Sequence, residues 1–203
     1  MSDIVLLGAS GHAKVIIDML HIEKRECNIF LLDDNEEVQG KYILGHMVMG
    51  RIEECLKYRD CQFVIAIGNN HIRRKIAEKY DLDYASVIHK TAIIADDVTI
   101  GKGTVVMAGA IINSGASVGK HCIVNTASTI DHDGRLDNYV HLSPGTHLGG
   151  TVTIGAESWL GVGSCCKNNV CIGEKVVVGA GGVVVRDIVE SGTYVGVPVR
   201  KIK

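Results

Sequence analysis

The 203-residue chain contains only 2 prolines, and aromatic residues make up 4 % of it. With 24 glycines beside them, these scarcities exclude the usual globular mixture. Charge of either sign is also in short surplus: the formal net value is -2. No long-range field draws nucleic acid or an anionic membrane, and neither is an expected partner. The seven cysteines form no CxxC pair, so they read as free, mostly buried thiols in a reducing compartment. No stretch reaches the roughly 18 apolar residues of a membrane span. The opening MSDIVLLGASGH has an acidic residue at the front and an apolar run too short for a signal peptide. A cytoplasmic protein of one compact domain or two small ones is expected.

What the chain does have is a period. From Ile88, every sixth residue as far as Val184 is aliphatic, except Cys166, itself a small hydrophobe. Two positions ahead of each runs a second series, from Ala92 to Gly182, mostly small or β-branched and never charged. A helix needs apolar residues about every 3.6 positions, and one strand does not run for 97 residues. A hexapeptide β-helix fits: each hexad gives a short strand and a turn, and three hexads close a coil. The aliphatic series stacks along the axis, with coils roughly 4.8 Å apart. Gly101, Gly119, Gly155 and Gly173 are expected to relieve turns where a Cβ would crowd. No insertion interrupts the register. Such a flat-faced solenoid gains by packing against further copies, and trimerisation follows as an expectation of geometry.

The first half alternates strands and helices. Ile4–Leu7 is an apolar strand, GASGHA a turn, and Val15, Ile16, Met19 and Leu20 mark one helical face. CNIFLLDD and CQFVIAIGNN read as further strands, RIEECLKY and HIRRKIAEKY as helices. A parallel sheet of three or four strands covered on both sides is implied. Ligands of such sheets sit beyond the carboxyl ends of the strands, which gathers Gly8–His12, Asp33–Asp34 and Gly68–Asn70 around one crevice. GASG lacks the G-x-G-x-x-G spacing, so a full dinucleotide site is not expected. Half of such a fold can hold a mononucleotide or nucleotide-sugar, with the amides of Ser10 to His12 near a phosphate. In the alternative reading, the glycines only make a tight turn and Asp33 and Asp34 only cap a loop. The expected organisation is an α/β Rossmann-like half domain (1–84), an all-β parallel β-helix (85–185) and a tail (186–203).

Within the solenoid, TASTIDHDGRLDNYVHLSPG (126–145) places His132 two positions after the inward Ile130, outside the core and near a turn. It reads either as a solvated surface histidine or as a base whose Nδ1 bonds Asp133. The axis is filled with aliphatics, so any chemistry must come from side chains that leave the faces. His141 and His147 can converge on the same face or across a subunit boundary. Their spacings put them on different hexads, so a zinc site with His132 is not expected.

Taken together, GASGH, FLLDD, FVIAIGNNHIRRKI, NTASTIDHD and the closing VGVPVRKI resemble bacterial sugar acetyltransferases of the sialic-acid O-acetyltransferase family. Close relatives there are the UDP-N-acetylbacillosamine-pathway and perosamine N-acetyltransferases. The resemblance implies a left-handed β-helix, a homotrimer, and acetyl-CoA lying between β-helices of adjacent subunits, with no metal. It assigns His132 as general base and Asp133 as the residue that raises its basicity; some relatives carry glutamate at that place. His141 matches a residue near the acetyl thioester, and the Gly150 amide a thioester or oxyanion contact. Val162, Gly179 and Ala180 match backbone positions along CoA. Ser10, Gly11, His12, Asp33, Asp34 and Gly68 match nucleotide-sugar contacts. The expected reaction is direct N-acetylation of a nucleotide-linked 4-amino-4,6-dideoxy sugar, UDP favoured. No cysteine nucleophile is required, and Cys122 and Cys171 read as packing residues. O-acetylation of sialic acid and a non-catalytic assembly role for the solenoid are the rival readings.

Overall fold

A computed structural model describes residues 3–22 and 27–203. The chain divides into two compact units, one ending at Val87 and one beginning at Ile88.

In the first unit the elements run β1 (Ile4–Leu7), α1 (Gly11–Ile22), β2 (Ile29–Leu32), β3 (Tyr42–Ile43), β4 (His46–Gly50), a 3₁₀ turn (Ile52–Lys57), β5 (Gln62–Ile65) and α2 (Asn70–Lys79). The sheet order is β3-β4-β2-β1-β5. All neighbours are parallel except β3 and β4, which form a hairpin. β1 is buried along its whole length, as the central strand of a covered parallel sheet must be. Three details differ from the sequence reading. The sheet has five strands, because Tyr42–Gly50 folds into a hairpin whose turn residues Leu44 and Gly45 have φ 47 and 87. Leucine is an unusual occupant of that left-handed turn, and so it gave no turn signal. RIEECLKY supplies only a 3₁₀ stretch of six residues. On α1, Val15 is exposed and Ile17 takes the inward place beside Ile16, Met19 and Leu20.

The second unit is a left-handed β-helix with three parallel sheets. Each strand pairs with the one eighteen residues on, as Ile111 with Thr129 and Ile123 with His141. The first face carries the strands in line with His141–Leu142, the second those in line with His147–Leu148, the third those in line with Arg135–Leu136. The inward series from Val106 to Val184 is buried as one continuous core. Its corners have a shared backbone device: every sixth residue from Gly103 to Gly181 has positive φ, non-glycine residues such as Asp133 and Tyr139 included. Gly101, Gly119 and Gly155 do not. A Cβ on any of them would come within 2.6 Å of the next coil's backbone, so they are required by coil-on-coil approach. Buried hydroxyls of the second series tie coil to coil. Thr104 donates to Gly119 O (2.8 Å) and accepts from Cys122 N (3.0 Å); Ser158 does the same with Gly173 O and Val176 N. Beyond the last coil, Gly192–Gly196 joins the first face and folds back antiparallel onto Val199–Lys201.

Among the described residues no disulfide joins the cysteines, and of them Cys55, Cys122 and Cys166 are buried. Burial pushes the Cys166 thiol up to about 12. Cys122 packs inside, with Sγ donating to Asp137 O (3.1 Å). Cys171 is exposed, contrary to its reading as a packing residue, because it precedes the inward Ile172 and so points off the third face.

Candidate active site

His132 sits in the corner between the second and third faces. Its turn is held by Asp131, whose Oδ1 accepts from the His132 amide (2.8 Å) and from Asn113 Nδ2 one coil earlier (2.9 Å). Asp133 has φ 59, a left-handed conformation that aspartate tolerates better than most residues. This brings its Oδ2 to 2.9 Å from His132 Nδ1. A carboxylate can only accept, so Nδ1 carries the proton and Nε2 presents its lone pair. The side chains of the pair are 61 % and 64 % exposed. Imidazole basicity is raised, first by the bond to Asp133 and then by the charges of Asp131 and Asp133. One coil on, Gly150 is what leaves the ring its place: a Cβ there would collide with Nε2.

The residues matched to CoA lie elsewhere on the solenoid. Val162 and Ala180 are exposed on neighbouring coils where the first face meets the second, and Val162 O accepts from Gly181 N (2.8 Å). The Gly179 amide donates to Tyr194 O (2.8 Å). His141 leaves the first face and stacks on Trp159, with centroids 5.5 Å apart and planes 5° from parallel. Its Nε2 is 3.4 Å from Asn125 Nδ2, while Trp159 Nε1 donates to Ser143 Oγ (2.8 Å). His147, on the second face, has its Nδ1 3.0 Å from Thr129 Oγ1. The corner that carries His132 is opposite the first face, so one chain does not bring His132 and His141 together. Among the described residues no three His, Cys, Asp or Glu side chains gather as metal ligands.

In the first unit, the segments after β1, β2 and β5 leave the same edge of the parallel sheet. Both aspartates brace these segments: Asp33 accepts from Ala9 N (2.7 Å) and Asn35 N (2.8 Å), and Asp34 from Ile52 N (2.9 Å). They also line a cavity of about 330 Å³ with Ile67, Ile72, Lys75 and Lys79. Ser10 and Gly11 are exposed at the start of α1. His12 behaves differently. Its Nε2 is buried without a hydrogen-bond partner, and burial plus the nearby Arg73 charge push its pKa down to about 4. Arg73, 1 % exposed, donates to Ile67 O and Gly68 O (3.0 and 3.1 Å) and fixes the Gly68 turn.

Sequence reasoning passed over Asp131, Asn113, Trp159 and Arg73. For the first three a signal existed: adding or subtracting eighteen pairs Asn113 with Asp131, His132 with Gly150 and His141 with Trp159. Arg73 had none, being one cation on a helix rich in them.

A family model described as the PglD N-terminal domain matches residues 3–80. The acetyltransferase domain of PglB from Neisseria gonorrhoeae FA1090, solved with acetyl coenzyme A, is 36 % identical, with 99 % of each chain covered and a TM-score of 0.94. This chain belongs to the hexapeptide-repeat acyltransferase superfamily. Within that superfamily it is also similar to PerB from Caulobacter crescentus, solved in complex with CoA and GDP-perosamine, at 34 % identity and a TM-score of 0.92. The match covers all of this chain and 98 % of that one. UDP-N-acetylbacillosamine N-acetyltransferase of Bacillus subtilis (strain 168) is 36 % identical over 113 residues, 53 % of this acyltransferase-family chain. The match spans about half the length of that curated relative, 52 %. Among the described residues no helix is long and apolar enough to cross a membrane.

Proposed function

We propose that this chain transfers the acetyl group of acetyl-CoA to the amino group of a nucleotide-linked 4-amino-4,6-dideoxy sugar, with UDP-linked sugars favoured. The observation that carries this reading is the His132–Asp133 pair, which presents a basic, accessible Nε2 at a corner where Gly150 leaves it room. In the proposed step the sugar nitrogen attacks the thioester carbonyl while Nε2 accepts its proton. A C–N bond forms, the C–S bond breaks and the CoA thiolate leaves. Asp133 stabilises the imidazolium as it appears, and the Gly150 amide is the proposed donor to the developing oxyanion.

His141, Val162, Gly179 and Ala180 are the proposed CoA contacts, and Ser10, Gly11, His12, Asp33, Asp34 and Gly68 those of the nucleotide-sugar. Within one solenoid the base stands at the corner between the second and third faces, while His141 lies on the first face, opposite that corner, and Val162 and Ala180 at the corner the first face shares with the second. In this reading the base and His141 of one site come from different copies, and a closed homotrimer supplies them. Preference for an amine over a sialic acid hydroxyl is supported by PerB, whose complex holds GDP-perosamine, and by the N-acetyltransferase name of the Bacillus relative. The reaction is assigned to the cytoplasm. Release of CoA thiol from acetyl-CoA, followed with a UDP-4-amino sugar, GDP-perosamine and sialic acid in parallel, tests the reading. Fastest turnover is expected with the UDP-amino sugar. Acetylation of sialic acid alone would replace the amine by a hydroxyl acceptor.

A further inference from the structure

Four residues stand in one column of the corner, eighteen apart: Asp97, Gly115, Asp133 and Thr151. At the bottom, Asp97 Oδ2 accepts from the Gly115 amide (2.9 Å) and from Ser114 Oγ (2.8 Å), which pins the Gly115 turn. Above it, the Asp133 amide donates to Ser114 O (3.0 Å). The Asp133 carboxylate then hangs over Gly115: a Cβ built on that glycine would collide with Oδ1, while Oδ2 faces His132 Nδ1. No other hydrogen bond to the Asp133 side chain is present among the described residues, and it is well exposed. The space left over Gly115 is thus what allows the carboxylate to rest where its Oδ2 meets His132 Nδ1.

We propose that Gly115 is a positioning residue for the reaction, seating the Asp133 carboxylate so that it faces His132. The inference rests on His132 acting as the base. Gly115 has φ +75, so two separate properties of glycine are in use there, and they can be separated experimentally. Gly109, the corresponding corner residue one hexad earlier, has φ +68, yet a Cβ there meets nothing closer than 3.9 Å. An alanine at either position carries the same backbone strain, but only at 115 does it displace the aspartate.

The charged groups acting on His132 are Asp131 and Asp133 on its own turn. The adjoining coils present Asn113 and Ser114 on one side and Gly150 and Thr151 on the other, all uncharged. Loss of the Asp133 hydrogen bond, the largest influence on the ring, therefore lowers the basicity of Nε2 even though both carboxylates remain nearby.

The experiment is an NMR titration of the His132 ring beside the pH profile of kcat/KM, in native protein, Gly115→Ala, Gly109→Ala and Asp133→Asn. Gly115→Ala is expected to lower the ring pKa and the acidic limb by about half a unit or more, in the direction of Asp133→Asn. Gly109→Ala is expected to leave both in place. Added to Asp133→Asn, Gly115→Ala should cause no further shift. Should alanine prevent folding, Gly115→Asn brings a Cβ on a residue that accepts left-handed backbone and is read the same way. A native ring pKa in a folded Gly115 variant overturns the inference. An acidic limb unmoved by Asp133→Asn, with full activity in His132→Ala, overturns the base assignment instead.

Discussion

Exposure ordinarily leaves an imidazole at its solution basicity. His132 departs from this because its neighbours on both sides are carboxylates and one of them is bonded to Nδ1. Removal of the ring should show its share of the chemistry: His132→Ala is expected to lower kcat roughly 10²–10⁴-fold while substrate affinities, measured by calorimetry, stay near native. A general base works only when neutral, so the rate falls as pH drops through its pKa. Asp133 holds that pKa up; Asp133→Asn should move the acidic limb of kcat/KM to lower pH. His12 is the opposite case. In the folded protein it stays neutral down to about 4, whereas an unfolded imidazole takes its proton near 6.5. Between those values the unfolded state binds more protons, so stability is full above 6.5 and is lost as pH falls, on the order of 3 kcal/mol across the window. Thermal melts from pH 7 to 4 should show a shallower decline for His12→Gln than for native protein. An equal decline would mean that His12 is protonated in the fold. His132 was legible as a candidate because Asp133 is its sequence neighbour. The inward turn of His12 was not, since burial beside Arg73 depends on how α1 and α2 pack.

Among the elements, those that repeat were the easiest to read. A register of six needs no knowledge of what lies across the sheet, because each strand's partner is another copy of the same pattern. The hairpin Tyr42–Gly50 lacked that redundancy, and its Leu44-Gly45 turn carries none of the usual asparagine or aspartate. The corner hydroxyls show a second limit of pattern alone. Ser158 and Ser164 hold the same place in successive hexads, yet Ser158 joins Gly173 O and Val176 N while the Ser164 hydroxyl is buried with no partner. Ser158→Ala strands two buried backbone groups and should cost about 1–3 kcal/mol. Ser164→Ala strands none and should be neutral or stabilising. Denaturant unfolding of the two variants checks the contrast; equal losses would mean the Ser158 bonds contribute nothing beyond packing.

At the level of the whole molecule, the proposed site is divided between copies, which makes complementation the decisive measurement. The homotrimer should have a mass near three times 21.8 kDa by light scattering. His132→Ala and His141→Ala subunits, each inactive alone, should regain activity when unfolded together and reassembled. In an equal mixture about a quarter of the sites combine an intact base with an intact His141 from the neighbouring copy. A site contained within one chain would gain nothing from mixing. The faces and corners that impose this division follow from the hexad register. Which corner meets which face of the next copy does not, because that depends on side chains whose partners lie outside the chain.

The eighteen-residue coil also makes the solenoid a ruler. Every functional group on it has an address given by two coordinates, a column and a rung, and neighbouring rungs are roughly 4.8 Å apart. His132 and Val162 differ in both. Inserting one further eighteen-residue coil between His132 and Val162 would leave every column intact and raise Val162 by one rung relative to His132. Removing eighteen residues from between them would do the reverse. The span between base and cofactor contacts is thus adjustable in fixed increments, and a family built on this scaffold can match acyl donors of different reach by counting coils.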